Sequence, residues 1–360
     1  MLATLTLEQF AAFADSQLAF GPGVNVLVGA NGTGKSHAMK VAYGAMRTAA
    51  EANRSPLALD QQLEERLAHL FLPDDLNVGR VVRRRAGGRS AVGGGNNRAS
   101  VNVRHSEGQV SFTLHTKGTH LRNAVSSASP AHPVLFLPPR EVLSLGPGFV
   151  QLAEEYRIPF DASYADATRA LTRPPSRRKT SAMAELEERL ADVLGAQVIE
   201  DNSRFYVKLS AGARLEAPLM GEGLRKVASL IRLIQNGSIT RGSTLFWDEP
   251  EANLNPILIR TIADVVLGLA QAGVQVILAT HDFFLASRLS MRLGAGKAAD
   301  VRFIGLTAPE TADGAVLETA DGVAVAEGAN LEDLPSALLV EALVQHADDE
   351  QRADLGRVFS

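Results

Sequence analysis

Apolar positions in this chain follow three rhythms. Short continuous runs, Val24–Val28, Pro133–Leu137, Ser243–Trp247, Val274–Ala279 and one near Val301–Leu306, read as strands, the first two of them buried. Helical spacing appears from His37 to Met46 and again at Leu59, Leu63, Leu67 and Leu70, where Pro73 stops it. It returns over Met183–Leu194, up to Ile234 after a glycine turn at Gly221–Gly223, and over Ile257–Leu269. The third rhythm is alternation. Residues 2–28 read as three short strands with a tight turn at Gly21-Pro22-Gly23, and Gln197–Leu209 and Ala315–Val325 read as hairpins. Val101, Val103 and Val110–Leu114 alternate as well, and with the segment before them suggest a hairpin over 79–106 tipped by the glycine-rich stretch Ala86–Asn97. Val142–Ser181 is irregular, and Pro335–Gln345 reads as a closing helix.

Composition narrows this only a little. A chain of 360 residues, 46% apolar, is globular and holds one large or two ordinary domains. The net charge of −4 offers no general affinity for nucleic acid, so any such affinity must be local. One local candidate exists: from Gly79 to Ser106 there is no acid, but there are seven arginines, among them Arg83, Arg84, Arg85 and Arg89. Such a cluster is either a solvated loop or a contact for phosphate backbones. Cysteine is absent, which removes disulfides, thiolate metal sites and a cysteine nucleophile and fits a reducing compartment. No uncharged apolar run reaches membrane-spanning length and the N-terminus lacks a basic leader, so a cytoplasmic protein is expected. No heptad array is present, which excludes long coiled-coil arms.

The richest stretch is Gly29-Ala30-Asn31-Gly32-Thr33-Gly34-Lys35-Ser36. Two glycines with four residues between them, then Lys and Ser, between a strand and a helix, form a phosphate cradle. Glycine lets successive backbone N–H groups point at phosphate oxygens, and the helix N-terminus adds partial positive charge. Lys35 reaches the β and γ phosphates in this reading, and the Ser36 hydroxyl ligates Mg²⁺. Downstream, Asp248 ends an apolar strand where it can hold Mg²⁺, and Glu249 follows as a general base for the attacking water. His281 ends the next strand, within reach of a γ-phosphate. Phosphoryl transfer asks a protein mainly for positioning, charge neutralisation and an oriented water, which this set supplies. No Asn-Lys-x-Asp guanine motif is present, so ATP is favoured over GTP.

Gly29–Ser36, the turn Gly221–Gly223, Trp247-Asp248-Glu249-Pro250 with Asn253-Leu254-Asn255, and Thr280-His281 together resemble the ABC-type ATPase domain; the loop Val24–Ser36 and the run Glu251-Ala252-Asn253-Leu254-Asn255-Pro256 after the acid pair look closest to its RecF/SMC/OLD-like soluble branch. The resemblance implies an α/β P-loop NTPase, an ABC-type ATPase head with an antiparallel β subdomain and a helical lobe. Residues 1–306 would form the ATPase domain, with the basic hairpin 79–106 and the lobe 140–195 inserted between the glycine loop and the signature turn. Residues 307–360 would add a hairpin and helix packed on it. By the same resemblance Gly221 and Gly223 belong to the signature loop, which contacts nucleotide held by a second copy. Asn253 belongs to the D-loop, and His281 is the switch histidine. Two departures stand out. The signature serine is missing, and no glutamine occupies the Q-loop position, where Arg140 and Glu141 are the nearest substitutes.

These features imply an ATP-gated homodimer with ATP and Mg²⁺ as its ligands. Three roles stay open. The gate could act on nucleic acid in a DNA repair or anti-phage defence complex, or it could switch a separately encoded effector without touching DNA. It could also be a transporter's nucleotide-binding subunit, although the altered signature and missing glutamine argue against membrane coupling. No second catalytic site follows His281 in the sequence, so a toxin or nuclease activity would belong to a partner.

Overall fold

Strands buried on both faces set the architecture. In the central sheet β14 (Ala324–Gly328), β13 (Val301–Thr307), β3 (Val24–Val28), β12 (Gln275–Thr280), β11 (Thr244–Asp248) and β7 (Val134–Leu137) lie in that order, all parallel except β14. The computed structural model describes residues 1–83, 97–117, 120–146, 148–176, 179–201, 204–209, 212–291, 300–308 and 322–335. Successive side chains leave opposite faces of a strand, and the two cores follow that alternation. Leu135, Leu137, Leu245, Trp247, Val276 and Leu278 join one core, whereas Val134, Phe136, Phe246 and Ile277 join the other.

The second core lies between the central sheet and an antiparallel one. That sheet contains β1 (Leu2–Phe10), β2 (Phe13–Ala19), β4 (Arg98–His105), β5 (Gly108–His115) and β6 (Leu121–Ser126), in the order β2-β1-β4-β5-β6. Helix α1 (Lys35–Glu51) is buried between the two layers, with Tyr43 packed on Phe136 and Phe246 at ring-centre distances of 5.5 and 6.1 Å. Gln275 ties the layers at one end: its amide brackets the backbone of Leu2 and donates to Gly21 O, each at 2.7 Å. The first core is covered by α5 (Ser181–Leu194), α6 (Glu222–Gln235), α7 (Pro256–Gln271) and α8 (Phe283–Met291). The leucine stripe forms α2 (Leu59–Phe71), with Leu63, Leu67 and Leu70 buried against α1. A three-stranded sheet, β8 (Ala196–Asp201), β9 (Arg204–Leu209) and β10 (Arg214–Glu216), precedes α6. No helix among the described residues is long and apolar enough to cross a membrane.

Two expectations change. The hairpin over 79–106 is instead a junction: Val78–Val81 is a short 3₁₀ turn, Val82 bridges Phe10, and β4 pairs with β1 on one side and β5 on the other. Leu5 and Leu7 of β1 stand opposite Val103 and Val101, a long-range pairing that local alternation cannot reveal. The irregular stretch 142–181 holds two helices, α3 (Gly148–Glu155) and α4 (Ala162–Leu171). The buried face of α4 mixes Ala165, Ala167, Ala170 and Leu171 with Ser163, Asp166 and Thr168, too small and too polar to register as an apolar stripe, and Asp161 caps it by accepting from Ser163 N. Among the described residues β14 and a short turn at Leu331–Asp333 follow β13; residues 315–321 of the expected hairpin and, apart from Pro335, the expected helix lie outside them.

Candidate active site

The site forms where β3, β11 and β12 end side by side. Gly29–Ser36 leaves β3, turning at Gly32 (φ 83°) and Gly34 (φ 90°), left-handed values that favour glycine. Gly34 also needs its missing side chain, because a Cβ there would sit 2.9 Å from the Phe13 ring. Phe13 is thus fully buried packing for the loop. Lys35, 6% exposed, bends its ammonium back onto the loop, donating to Gly29 O at 2.6 Å and Ala30 O at 2.9 Å. Burial lowers its pKa, and the charges of Glu249, Asp248 and Glu251 oppose that.

Ser36 and Asp248, 212 residues apart, meet directly: Ser36 Oγ donates to Asp248 Oδ1 at 3.0 Å. Asp248 is buried, and that burial pushes its carboxyl up to about 6. Ser36 and the charges of Lys40 and Lys35 pull it down. These residues fit a Mg–nucleotide. A carboxylate made uncomfortable by burial and a hydroxyl against it suit a cation, and the ammonium on the loop carbonyls suits phosphate oxygens.

Glu249 has a left-handed backbone (φ 43°), uncommon for a non-glycine residue, and its N–H donates to Ala279 O at 3.0 Å. The chain therefore leaves the sheet immediately after Asp248. His281 Nδ1 stands 3.2 Å from Glu249 Oε1. The hydrogen bond from His281 holds the Glu249 carboxyl below its ordinary range, and Glu249 in turn raises the imidazole above 6.5. The two groups are partly exposed.

The signature turn and D-loop residues are brought together as well. Asn253 Nδ2 donates to Glu222 Oε1 at 3.3 Å. Gly223 is needed for packing, since a Cβ would meet Leu258 Cδ1 at 2.5 Å and Leu254 Cδ2 at 2.7 Å. At Gly221 a Cβ would meet nothing within 4 Å, so no packing among the described residues requires that glycine. Asn31 and Thr33 lie in the loop, and Thr33 Oγ1 donates to Ala30 O at 2.9 Å. Neither Q-loop substitute is an obvious replacement. Glu141 accepts from Ser144 and pairs with Arg225 on α6 at 2.7 Å, a structural tie between β7 and the signature helix. Arg140 stands exposed at a cleft of about 450 Å³ shared with Lys40, Asp161 and Tyr164.

The arginine cluster requires a correction. Arg83 is 6% exposed, and its guanidinium donates to Ala12 O at 2.9 Å and Ala11 O at 3.4 Å, so it braces the β1–β2 turn rather than offering charge to a polyanion. Arg84, Arg85 and Arg89 lie outside the described residues. Three residues near the site were given no role from the sequence. Lys40, one turn beyond Ser36 on α1, donates to Asp161 at 2.8 Å and acts on Asp248 through its charge. Lys226, buried on α6, donates to Pro250 O at 3.1 Å and Ala252 O at 2.8 Å, and Glu251 is buried between those two. Only the i, i+4 spacing of Ser36 and Lys40 carried a local signal.

Comparison with known proteins agrees with this geometry. A family model described as "AAA domain, putative AbiEii toxin, Type IV TA system" matches residues 83–287. No curated protein matches the chain. Among solved structures, an SMC head bound to the C-terminal winged-helix domain of ScpA is 14% identical with a TM-score of 0.54, over 92% of this chain and 98% of that one. The SMC head domain from Thermotoga maritima is 13% identical with a TM-score of 0.49, over 91% and 98%. The first likeness shows the fold, an α/β P-loop NTPase of the SMC-head and ABC kind. With a match over more than half its length and the phosphate-binding loop, Asp-Glu pair and histidine assembled at one sheet edge, the chain belongs to the AAA-domain family of putative AbiEii toxins of type IV toxin–antitoxin systems.

Proposed function

We propose that this protein binds and hydrolyses ATP with Mg²⁺ at the edge of β3, β11 and β12, and that ATP closes two copies on one another. One observation carries the reading: Ser36–Asp248 at 3.0 Å and Glu249–His281 at 3.2 Å converge beside the Lys35 loop. Ser36 and Asp248 would hold Mg²⁺, which supplies charge neutralisation on the phosphates when bound. Lys35 exchanges its two carbonyl partners for phosphate oxygens. Glu249 orients the attacking water and takes its proton, and His281, whose protonated form the contact with Glu249 favours, faces the developing phosphate charge.

Closure between copies is supported by the surface around the signature turn. Gly221 presents backbone with open space at its Cβ position, and Leu219, Ile257 and Phe284 are 70%, 74% and 52% exposed. These side chains flank the signature turn, the D-loop and the His281 turn respectively, where a second copy would cover them. For the wider role we propose a defence- or repair-type complex in the cytoplasm with a separate effector. The family's description as putative toxins of toxin–antitoxin systems supports it, as does the solved SMC head with its bound ScpA domain. Action on nucleic acid rests on Arg84, Arg85 and Arg89. The burial of Arg83 favours the second reading, a switch that controls the effector without DNA contact.

Glu249→Gln tests the core of the proposal. Glutamine keeps the size but accepts no proton, so turnover should fall by ~10²–10⁴-fold while Mg–ATP still binds. Light scattering with Mg–ATP should then show an accumulated dimer. A variant that binds ATP, does not hydrolyse it and stays monomeric sinks the two-copy site. Stimulation of wild-type turnover by DNA separates the nucleic-acid reading from the switch.

A further inference from the structure

A third acid lies beyond Asp248 and Glu249 and has no part in the chemistry above. Glu251 is 5% exposed, held in a loop whose flanking carbonyls, those of Pro250 and Ala252, both accept from Lys226. Its Oε1 accepts the hydroxyl proton of Thr280, the last residue of β12, and its Oε2 is buried with no hydrogen-bond partner among the described residues. Thr280 Oγ1 in turn accepts the N–H of Asp282 at 2.9 Å. Asp282 caps α8 by accepting from Leu285 N at 2.7 Å. His281 sits between the two residues this relay holds.

We propose that Glu251 is a positioning residue, which through the Thr280 hydroxyl fixes the turn that presents His281 to Glu249. The inference rests on the hydrolytic reading of Glu249 and His281. A threonine hydroxyl has one proton to give. Given to Glu251, it leaves the oxygen lone pairs for the Asp282 N–H. Without that acceptor the buried hydroxyl seeks a backbone carbonyl, and the turn loses its anchor. A carboxylate is a costly choice for this place, because burial pushes Glu251 up to about 7 despite the Thr280 hydrogen bond. Asp282 adds to the rise, while His281 opposes it, and Lys35 and Lys226 also face the group by charge. A residue serving stability alone would be better as glutamine or an apolar side chain, and a costly buried acid beside a site is the pattern expected of function.

The test compares Glu251→Ala and Glu251→Gln with Thr280→Val and Thr280→Ser in the full chain. Two measurements are made: steady-state ATP turnover with nucleotide affinity, and the NMR titration of His281, assigned by the signal lost in His281→Ala. Glu251→Ala and Thr280→Val should lower turnover by roughly 10- to 100-fold, the scale of a small misplacement. Nucleotide affinity should hold within about twofold, because neither residue is in the phosphate loop. The His281 titration should move down towards 6.5 as its contact with Glu249 loosens. Glu251→Gln and Thr280→Ser keep acceptor and hydroxyl and should restore both readouts, and the double variant Glu251→Ala/Thr280→Val should be no worse than either single one. If Glu251→Ala does not fold, the near-isosteric Thr280→Val with Thr280→Ser decides. An unmoved His281 titration in the disabling variants, or Glu251→Gln as impaired as Glu251→Ala, overturns the proposal. Absence of wild-type hydrolysis would refute the hydrolytic reading instead, and the titration would still judge the relay.

Discussion

Asp248→Asn should make the nucleotide-free protein more stable while disabling its site. Burial pushes the Asp248 carboxyl up to about 6 from an ordinary 3.8, against the pull of Ser36, Lys40 and Lys35. An acid whose pKa folding has raised favours the fold most below about 3.8, where both states hold the proton; it loses that advantage as pH climbs to about 6 and pays in full above. At ~1.4 kcal/mol per pH unit, the ionised group costs about 3 kcal/mol at pH 8. Asparagine carries no charge and still offers Ser36 an acceptor oxygen. With an unfolding entropy of ~2.1 cal/mol/K per residue, that relief raises Tm by about 4 °C in a chain this long. Calorimetry in EDTA at pH 8 would measure it, with the emission of Trp247, the chain's single tryptophan and Asp248's neighbour, as a second probe. The gain should shrink to about half at pH 5. Mg–ATP should stabilise the wild type and not the variant. A variant no more stable than wild type at pH 8, or a gain that ignores pH, would refute the burial cost assigned to Asp248.

Lys35→Ala should abolish tight ATP binding, since the loop would lose its buried ammonium; unchanged affinity by isothermal titration would remove Gly29–Ser36 as the nucleotide site. Leu219→Glu or Ile257→Glu, placed in the Glu249→Gln background, should weaken the ATP-dependent dimer by ~30-fold, the size of one interface hot spot near 2 kcal/mol. Equal dimer fractions by light scattering would move the interface elsewhere. Arg83→Ala should cost ~1–3 kcal/mol in a urea melt by removing its hydrogen bonds to the Ala11 and Ala12 carbonyls, of which Ala12 O keeps the Val323 N–H, with nucleic-acid retention at low salt unchanged. Loss of retention at full stability would return Arg83 to the surface role.

What the sequence by itself determined is whatever rests on neighbours along the chain. Gly29–Ser36 between a strand and a helix, Asp248-Glu249 at the end of an apolar run, and the Leu59–Leu70 stripe are patterns of a few residues, and each was placed without the fold. The parallel strands were legible for the same reason: a strand covered on both faces has to be apolar throughout. Only the tertiary structure decided what depends on residues far apart. It paired Ser36 with Asp248 across 212 positions, and it set β1 on the other edge of β4 from its hairpin partner β5. It buried Arg83 under the β1–β2 turn, because the bridge from Val82 to Phe10 brings the guanidinium to those carbonyls. It also drew Glu251 to Thr280, 29 residues on, because adjacent parallel strands end at the same level and set their following loops against each other. An isolated acid three positions after Asp248 looks like any surface carboxylate in a sequence. Its cost, and hence its meaning, exists only once the fold has taken the water away.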